Sequence, residues 1–144
     1  MIRAVLDTNV IYAGLRSYTG ASRRWLESVF SGQVTMPVSV PLFLEYEDVL
    51  LRQSRRLTPN PQDIDDFLGM LAAFVEPVEI SYLWRPQLRD PKDDMVLEAA
   101  VNGRADMLVT HNIRDFRAAG KFSFEIVTPA DGLNRLRNHL RGSS

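Results

Sequence analysis

The sequence predicts an α/β fold in which a mostly parallel sheet of about five strands is covered by helices on both faces. Two observations carry that prediction. Short apolar runs bounded by polar or turn-forming residues alternate along the chain with segments whose apolar residues fall at helical spacing. The strand-like runs are also apolar almost throughout, the pattern of parallel strands buried on both sides.

The elements follow in order. Val5 and Leu6, flanked by Ile2 and Ala4, make a first short strand. "ASRRWLESVFSG" sets Trp25, Leu26, Val29 and Phe30 at helical spacing, with Gly32 as its stop. "QVTMPVSV" reads as a second strand and "PLFLEYEDVLLRQ" as a helix opened by Pro41. Beyond the turn-rich "LTPNP", Asp63 to Val75 carries Ile64, Phe67, Leu68, Leu71 and Phe74 on one helical face. "VEPVEI" is a third strand, "LRDPKDD" a polar loop, and "MVLEAAVNG" a short helix closing at Gly103. "DMLVT" is a fourth strand, "NIRDFRAAG" a helical turn ending at Gly120, and "FEIVT" a fifth strand. An amphipathic helix follows Pro129, with Leu133, Leu136 and Leu140 on its inner stripe. Trp25, Phe30, Phe43, Leu50 and Phe67 are core candidates. Residues 1–140 read as one domain, and 141–144 as a frayed, disordered tail.

Composition sets bounds on function. With 45% hydrophobic and 24% charged residues the chain is globular rather than disordered. No apolar run is long enough to span a bilayer, and a carboxylate interrupts "MIRAVLDTNV" where a secretory leader would stay apolar. The absence of Cys excludes disulfides, thiolate metal sites and thiol nucleophiles, and suits the cytoplasm. A net charge of −1 gives no basic field, but 15 of the 17 basic residues are Arg, the side chain that grips phosphate with two parallel hydrogen bonds. A GC-rich genome produces the same bias.

Four places set acids against strongly apolar sequence. Asp7 ends the first strand, Glu45 lies in "LFLEYEDVLL", Asp93 and Asp94 precede the apolar positions of their helix, and Asp115 follows "MLVT" after a short turn. Each has an ordinary structural role open to it, as a helix cap, a dipole partner or a half-exposed helix residue. Position changes the reading. Asp7 and Asp115 map to carboxyl ends of strands, the edge where ligands collect in open α/β sheets. Carboxylates crowded there repel one another and raise each other's pKa values, a penalty that a divalent cation removes. Oxygen ligands without Cys, and only His111 and His139 as imidazoles, point to Mg²⁺ or Mn²⁺ rather than zinc. Such ions suit phosphodiester hydrolysis, which then needs no protein nucleophile, and the chain offers no Ser/His/Asp arrangement.

These residues resemble the PIN-domain family of metal-dependent ribonucleases, which includes the VapC-like toxins of bacterial toxin–antitoxin modules. "VLDTNV" matches the family's first acid at Asp7, and "LEYEDVL" its second at Glu45. "DPKDDMVLEAA" holds the third, with Asp94 in the better register and Asp93 as its rival. In "DMLVTHNIRDF" the fourth falls at Asp115, or at the position where this chain carries the neutral amide of Asn112. The resemblance spans Leu6 to Phe116. It implies a three-layer α/β/α sandwich, Mg²⁺ or Mn²⁺ as cofactor, cleavage of RNA, homodimers, and a cognate antitoxin. Thr8, Asn9 and Thr110 would orient the carboxylates. Arg16, Arg89, Arg114 and Arg117, beside the same loops, are candidate phosphate contacts, whereas Arg52, Arg55 and Arg56 read as a solvated helix end. Some of the apolar residues named above are alternatively a dimer face or an antitoxin groove.

Other classes fit less well. A receiver-like domain needs a Lys after a late strand, where "DMLVTHN" has His and Asn. A dehalogenase-type phosphatase needs Asp two residues after Asp7, where Asn9 stands, and there is no Gly-rich phosphate loop. The runner-up is a PIN module that binds RNA or a protein without cleaving.

Overall fold

The computed structural model describes residues 1–81, 90–118, 120 and 122–142. Three parallel strands form its centre: β1 (Ala4–Leu6), β4 (Met107–Val109) and β5 (Glu125–Val127), in the order β1-β4-β5. Leu6 is paired with Val109, and Val109 with Val127, so the three carboxyl ends lie level. Every residue of β1 and β4 is buried, as their unbroken apolar sequence requires.

The expected sheet of five strands is divided. β2 (Pro37–Val38) and β3 (Glu76–Pro77) pair with each other as a separate parallel ladder. Thr35, just before β2, still meets β1: its N–H donates to the Ile2 carbonyl, and its carbonyl accepts from the Ala4 N–H, both at 2.9 Å. Successive residues of a strand direct their hydrogen-bonding groups to opposite sides. Met36 and Val38 therefore serve β3 and its continuation, through Glu76 and Val78, and Pro37 is the next position that would face β1. Proline has no N–H to give, so the ladder to β1 ends after one bridge.

Helices cover both faces. They are α1 (Thr8–Arg16), α2 (Ala21–Phe30), α3 (Val40–Arg52), α4 (Ser54–Leu57), α5 (Gln62–Phe74), α6 (Pro91–Asn102), α7 (Ile113–Arg117) and α8 (Pro129–Gly142). Trp25 is wholly buried, and its indole N–H donates to the Pro129 carbonyl at 2.9 Å, tying α2 to the start of α8. Gly132 allows that approach: a Cβ there would stand 2.8 Å from the Trp25 ring. Phe30 meets Phe67 and Phe74 edge to face, joining α2 to α5. Of the predicted core aromatics, Trp25 and Phe67 are buried, while Phe30 and Phe43 are half-buried against the core.

Two boundaries differ from expectation. α8 continues through Arg141 and Gly142, into the stretch expected as tail; Ser143 and Ser144 lie outside the described residues. α6 begins at Pro91 rather than after "LRDPKDD", because Asp90 caps it and Pro91 takes the first helical position, where its missing N–H costs nothing. Asp93 and Asp94 are consequently helical.

Candidate metal centre

Adjacent parallel strands that end level bring their next residues together, and here those residues are Asp7 and Thr110. The Asp7 N–H still donates to the Val109 carbonyl, at 2.9 Å, while its side chain turns outward. One carboxylate oxygen caps α1 by accepting the Thr8 N–H at 2.7 Å, and the other accepts the Thr110 hydroxyl at 2.7 Å. Thr110 Oγ1 accepts in turn from the Asn112 N–H at 3.0 Å, and Asn9 Oδ1 accepts the His111 N–H at 3.4 Å. Thr110 and Asn9 thus hold the turn after β4 against the start of α1. Only 5% of Asp7 is exposed. Burial raises its carboxyl above the usual range, against the opposing hydrogen bonds from Thr110 and Thr8 and the nearby His111; Asp90 adds a smaller upward push.

Glu45 comes from α3, whose N-terminus is capped by Ser39 and whose buried stripe is Leu42, Tyr46 and Leu50. The buried Tyr46 hydroxyl donates to the Leu6 carbonyl, clamping α3 to the last residue of β1. Burial, and then the Asp7 charge, hold that phenol well above its ordinary pKa, so it stays neutral. Beside it Glu45 lines a cavity that Asp7 also lines, with the Lys92 ammonium 3.6 Å from Oε1.

Neighbouring residues on a helix point about 100° apart, so Asp93 and Asp94 cannot share an outlook. Asp93 lines the cavity; Asp94 is 1% exposed and does not. Burial pushes the Asp93 carboxyl up to about 7, with the charges of Asp7, Asp90, Asp115 and Asp94 adding to the effect in that order. Asp115 is exposed on α7 and outside the lining, yet near enough for its charge to act on Asp93. Asn112 lies in the lining.

The cavity has a volume of about 380 Å³. Asp7, Glu45, Asp90, Asp93 and Asn112 surround its end at the sheet edge, and from there it runs between α1 and the α3–α4 segment toward Arg16 and Arg56. All five acidic and amide groups offer hard oxygen atoms, the donor set of Mg²⁺ or Mn²⁺. Among the described residues no three Asp, Glu or His side chains converge closely enough to enclose an ion as they stand.

Of the arginines expected to meet phosphate, Arg16 lines the cavity; Arg114 and Arg117 are exposed on α7 outside it, and Arg89 lies outside the described residues. Arg56, expected as solvated surface, belongs to the lining, whereas Arg52 is paired with Asp48 at 3.0 Å. Asp90, Tyr12, Gln53 and Tyr46 are site residues that sequence reasoning passed over. The Asp-Pro pair was a readable helix-start signal for Asp90. Tyr46 carried no signal separating it from an ordinary core aromatic.

Comparison with known proteins bears on the family and the fold. The family model described as PIN domain matches residues 3–114, a stretch that contains Asp7, Glu45, Asp93 and Asp94 and stops one residue short of Asp115. The fold is similar to that of a chain in the crystal structure of VapBC2 from Rickettsia felis bound to a DNA fragment from their promoter. The TM-score is 0.62 at 16% identity, over 88% of this chain and 98% of that one. No curated protein sequence matches the chain. The family match covers most of the sequence, and the chain therefore belongs to the PIN-domain family.

Proposed function

We propose that this PIN-domain protein is an endoribonuclease dependent on Mg²⁺ or Mn²⁺, and that it serves as the toxin of a toxin–antitoxin pair. One observation carries the proposal: carboxylates from three separate elements face one cavity at the sheet's carboxyl edge, where burial and mutual repulsion push Asp93 up to about 7. Structural caps do not need one another's company, and a site that pushes its own acids toward protonation is suited to a cation.

Asp7, Glu45 and Asp93 would hold the ion, with Asn112 and Asp115 at the side nearest α7. Asp93 takes this role ahead of Asp94, because it faces the cavity. A bound cation would neutralise phosphate charge and lower the pKa of water enough for attack on phosphorus. The chain's own contribution is positioning. Thr110 and the Thr8 N–H fix the Asp7 carboxylate, Tyr46 fixes α3 and with it Glu45, and the cap of α6 sets the outlook of Asp93. Lys92 supplies positive charge beside Glu45.

The antitoxin partner is supported by the family and by the likeness to a VapBC2 chain. No described helix is long and apolar enough to cross a membrane. Asn112, neutral where a fourth acid is expected, favours one other reading, a module that binds RNA without cleaving it. Labelled single-stranded RNA with Mn²⁺ or Ca²⁺ separates the two. Cleavage in Mn²⁺ that disappears in Asp7→Asn supports the enzyme. Binding without cleavage supports the module, and cleavage that persists in Asp7→Asn belongs to a contaminant.

A further inference from the structure

The cavity changes sign along its length. On α1, Thr8, Tyr12 and Arg16 are spaced four residues apart and all three line it, so they form one stripe along a single helix face. Facing them, Glu45 and Val49 on α3 and Gln53 just beyond its end repeat the same spacing, and Arg56 follows on α4. The two stripes make a groove with carboxylates at the sheet edge and two guanidinium groups at the far end. Thr8 and Arg16, eight residues apart on α1 at about 1.5 Å per residue, set those ends about 12 Å apart.

Arg16 and Arg56 are both exposed, and neither has an acidic partner among the described residues. Arg52, on the same helical segment, is by contrast paired with Asp48. Between the acids and the two guanidiniums lie a half-buried Tyr12 ring and the Gln53 amide. An anionic backbone crossing this groove would pass from a cation-holding end to a phosphate-binding one, over an aromatic platform. Arg can grip phosphate with two hydrogen bonds, and Tyr offers a stacking face to any base.

We infer that the α1–α4 groove is a subsite for the single-stranded RNA segment that leads away from the scissile phosphate. Arg16 and Arg56 hold its phosphates, Tyr12 stacks on a base, and Gln53 reads polar base or sugar atoms. The inference deepens the ribonuclease proposal and rests on it. It also fixes strand placement, since the reacting phosphate belongs at the carboxylates and the gripped ones toward the other end of the groove, about 12 Å away along α1.

The test measures binding of a fluorescent single-stranded RNA in Ca²⁺ across a salt series. It compares the wild type with Arg16→Gln/Arg56→Gln and with Arg24→Gln/Arg137→Gln, a double substitution on a separate surface that removes the same charge. The groove variant should bind about tenfold more weakly or worse. Its salt slope should be lower by about 1.4, for two lost phosphate contacts. The control should keep the wild-type slope, and Tyr12→Leu should weaken binding without changing the slope. Equal loss in both doubles would reduce the effect to net charge and overturn the subsite. RNA bound and cleaved as well by the groove double as by the wild type would overturn the subsite while leaving the ribonuclease standing. No RNA binding by the wild type would overturn both, and arginine-dependent binding of an acidic peptide in its place would assign the groove to a protein.

Discussion

The Thr110 hydroxyl donates to the Asp7 carboxylate at 2.7 Å, joining the residues that follow two neighbouring parallel strands. A side chain just beyond β4 thereby sets the direction of an acid just beyond β1 before any ligand arrives. The same Oγ1 accepts the Asn112 N–H, so one hydroxyl organises both sides of the cavity's mouth.

Thr110→Val keeps the shape of the side chain and removes that hydroxyl. It leaves a buried carboxylate oxygen and the Asn112 N–H without their partner, so stability should fall by about 1–3 kcal/mol. Affinity for Mn²⁺ should fall about 10- to 100-fold, as when groups that orient metal ligands are lost. Thermal melts and Mn²⁺ titration check both, and Thr110→Ser should restore much of each. A valine variant with unchanged Mn²⁺ affinity would show that the hydroxyl only fills space.

The Asp93 carboxyl has a pKa of about 7 in the folded chain and near the ordinary carboxylate value of about 4 when unfolded. Between those values the folded state holds a proton that the unfolded state has lost. Its stabilising contribution is therefore complete below pH about 4 and is lost as pH rises to about 7. Asp7 acts in the same direction. In chelator, urea midpoints of the wild type should fall across this window relative to those of Asp93→Asn. Wild-type and variant curves that stay parallel would contradict the assignment.

Tyr46→Phe removes the clamp between α3 and the end of β1 without opening a cavity. Loss of one buried hydrogen bond should cost about 1–2 kcal/mol. RNA cleavage should slow as Glu45 loses its setting, with the shape of the pH–rate profile unchanged, because the Tyr46 phenol stays neutral throughout the working range. A shifted profile would give Tyr46 a direct part in proton transfer.

Much of the fold was legible because buried parallel strands carry their burial in the sequence. "AVL" and "MLV" are apolar at every position, and both are central strands. The division of the sheet at Pro37 was written in the chain but depends on which side of β2 faces β1, a register that periodicity does not specify. Asp7, Glu45 and Asp93, which line the cavity, were legible as acids beside apolar runs. The choice between Asp93 and Asp94 was not, because it depends on where α6 begins, and reading "LRDPKDD" as loop concealed the Asp-Pro cap. Tyr46 and Arg56 could not be assigned in advance, since each owes its place to the packing of α3 and α4 against α1 and β1 rather than to its neighbours in sequence.

The sharpest test of the metal centre is calorimetric titration of Mn²⁺ into the wild type and into Asp93→Asn near pH 7, in buffers of different ionisation enthalpy. The wild type should bind saturably with heat that depends on the buffer, because the cation displaces the proton held on the cavity's acids. Asp93→Asn should bind far more weakly and release no comparable proton. Wild-type protein that binds no Mn²⁺, or an Asp93→Asn variant that binds it as tightly with the same proton release, would contradict the claim that these carboxylates form a metal centre.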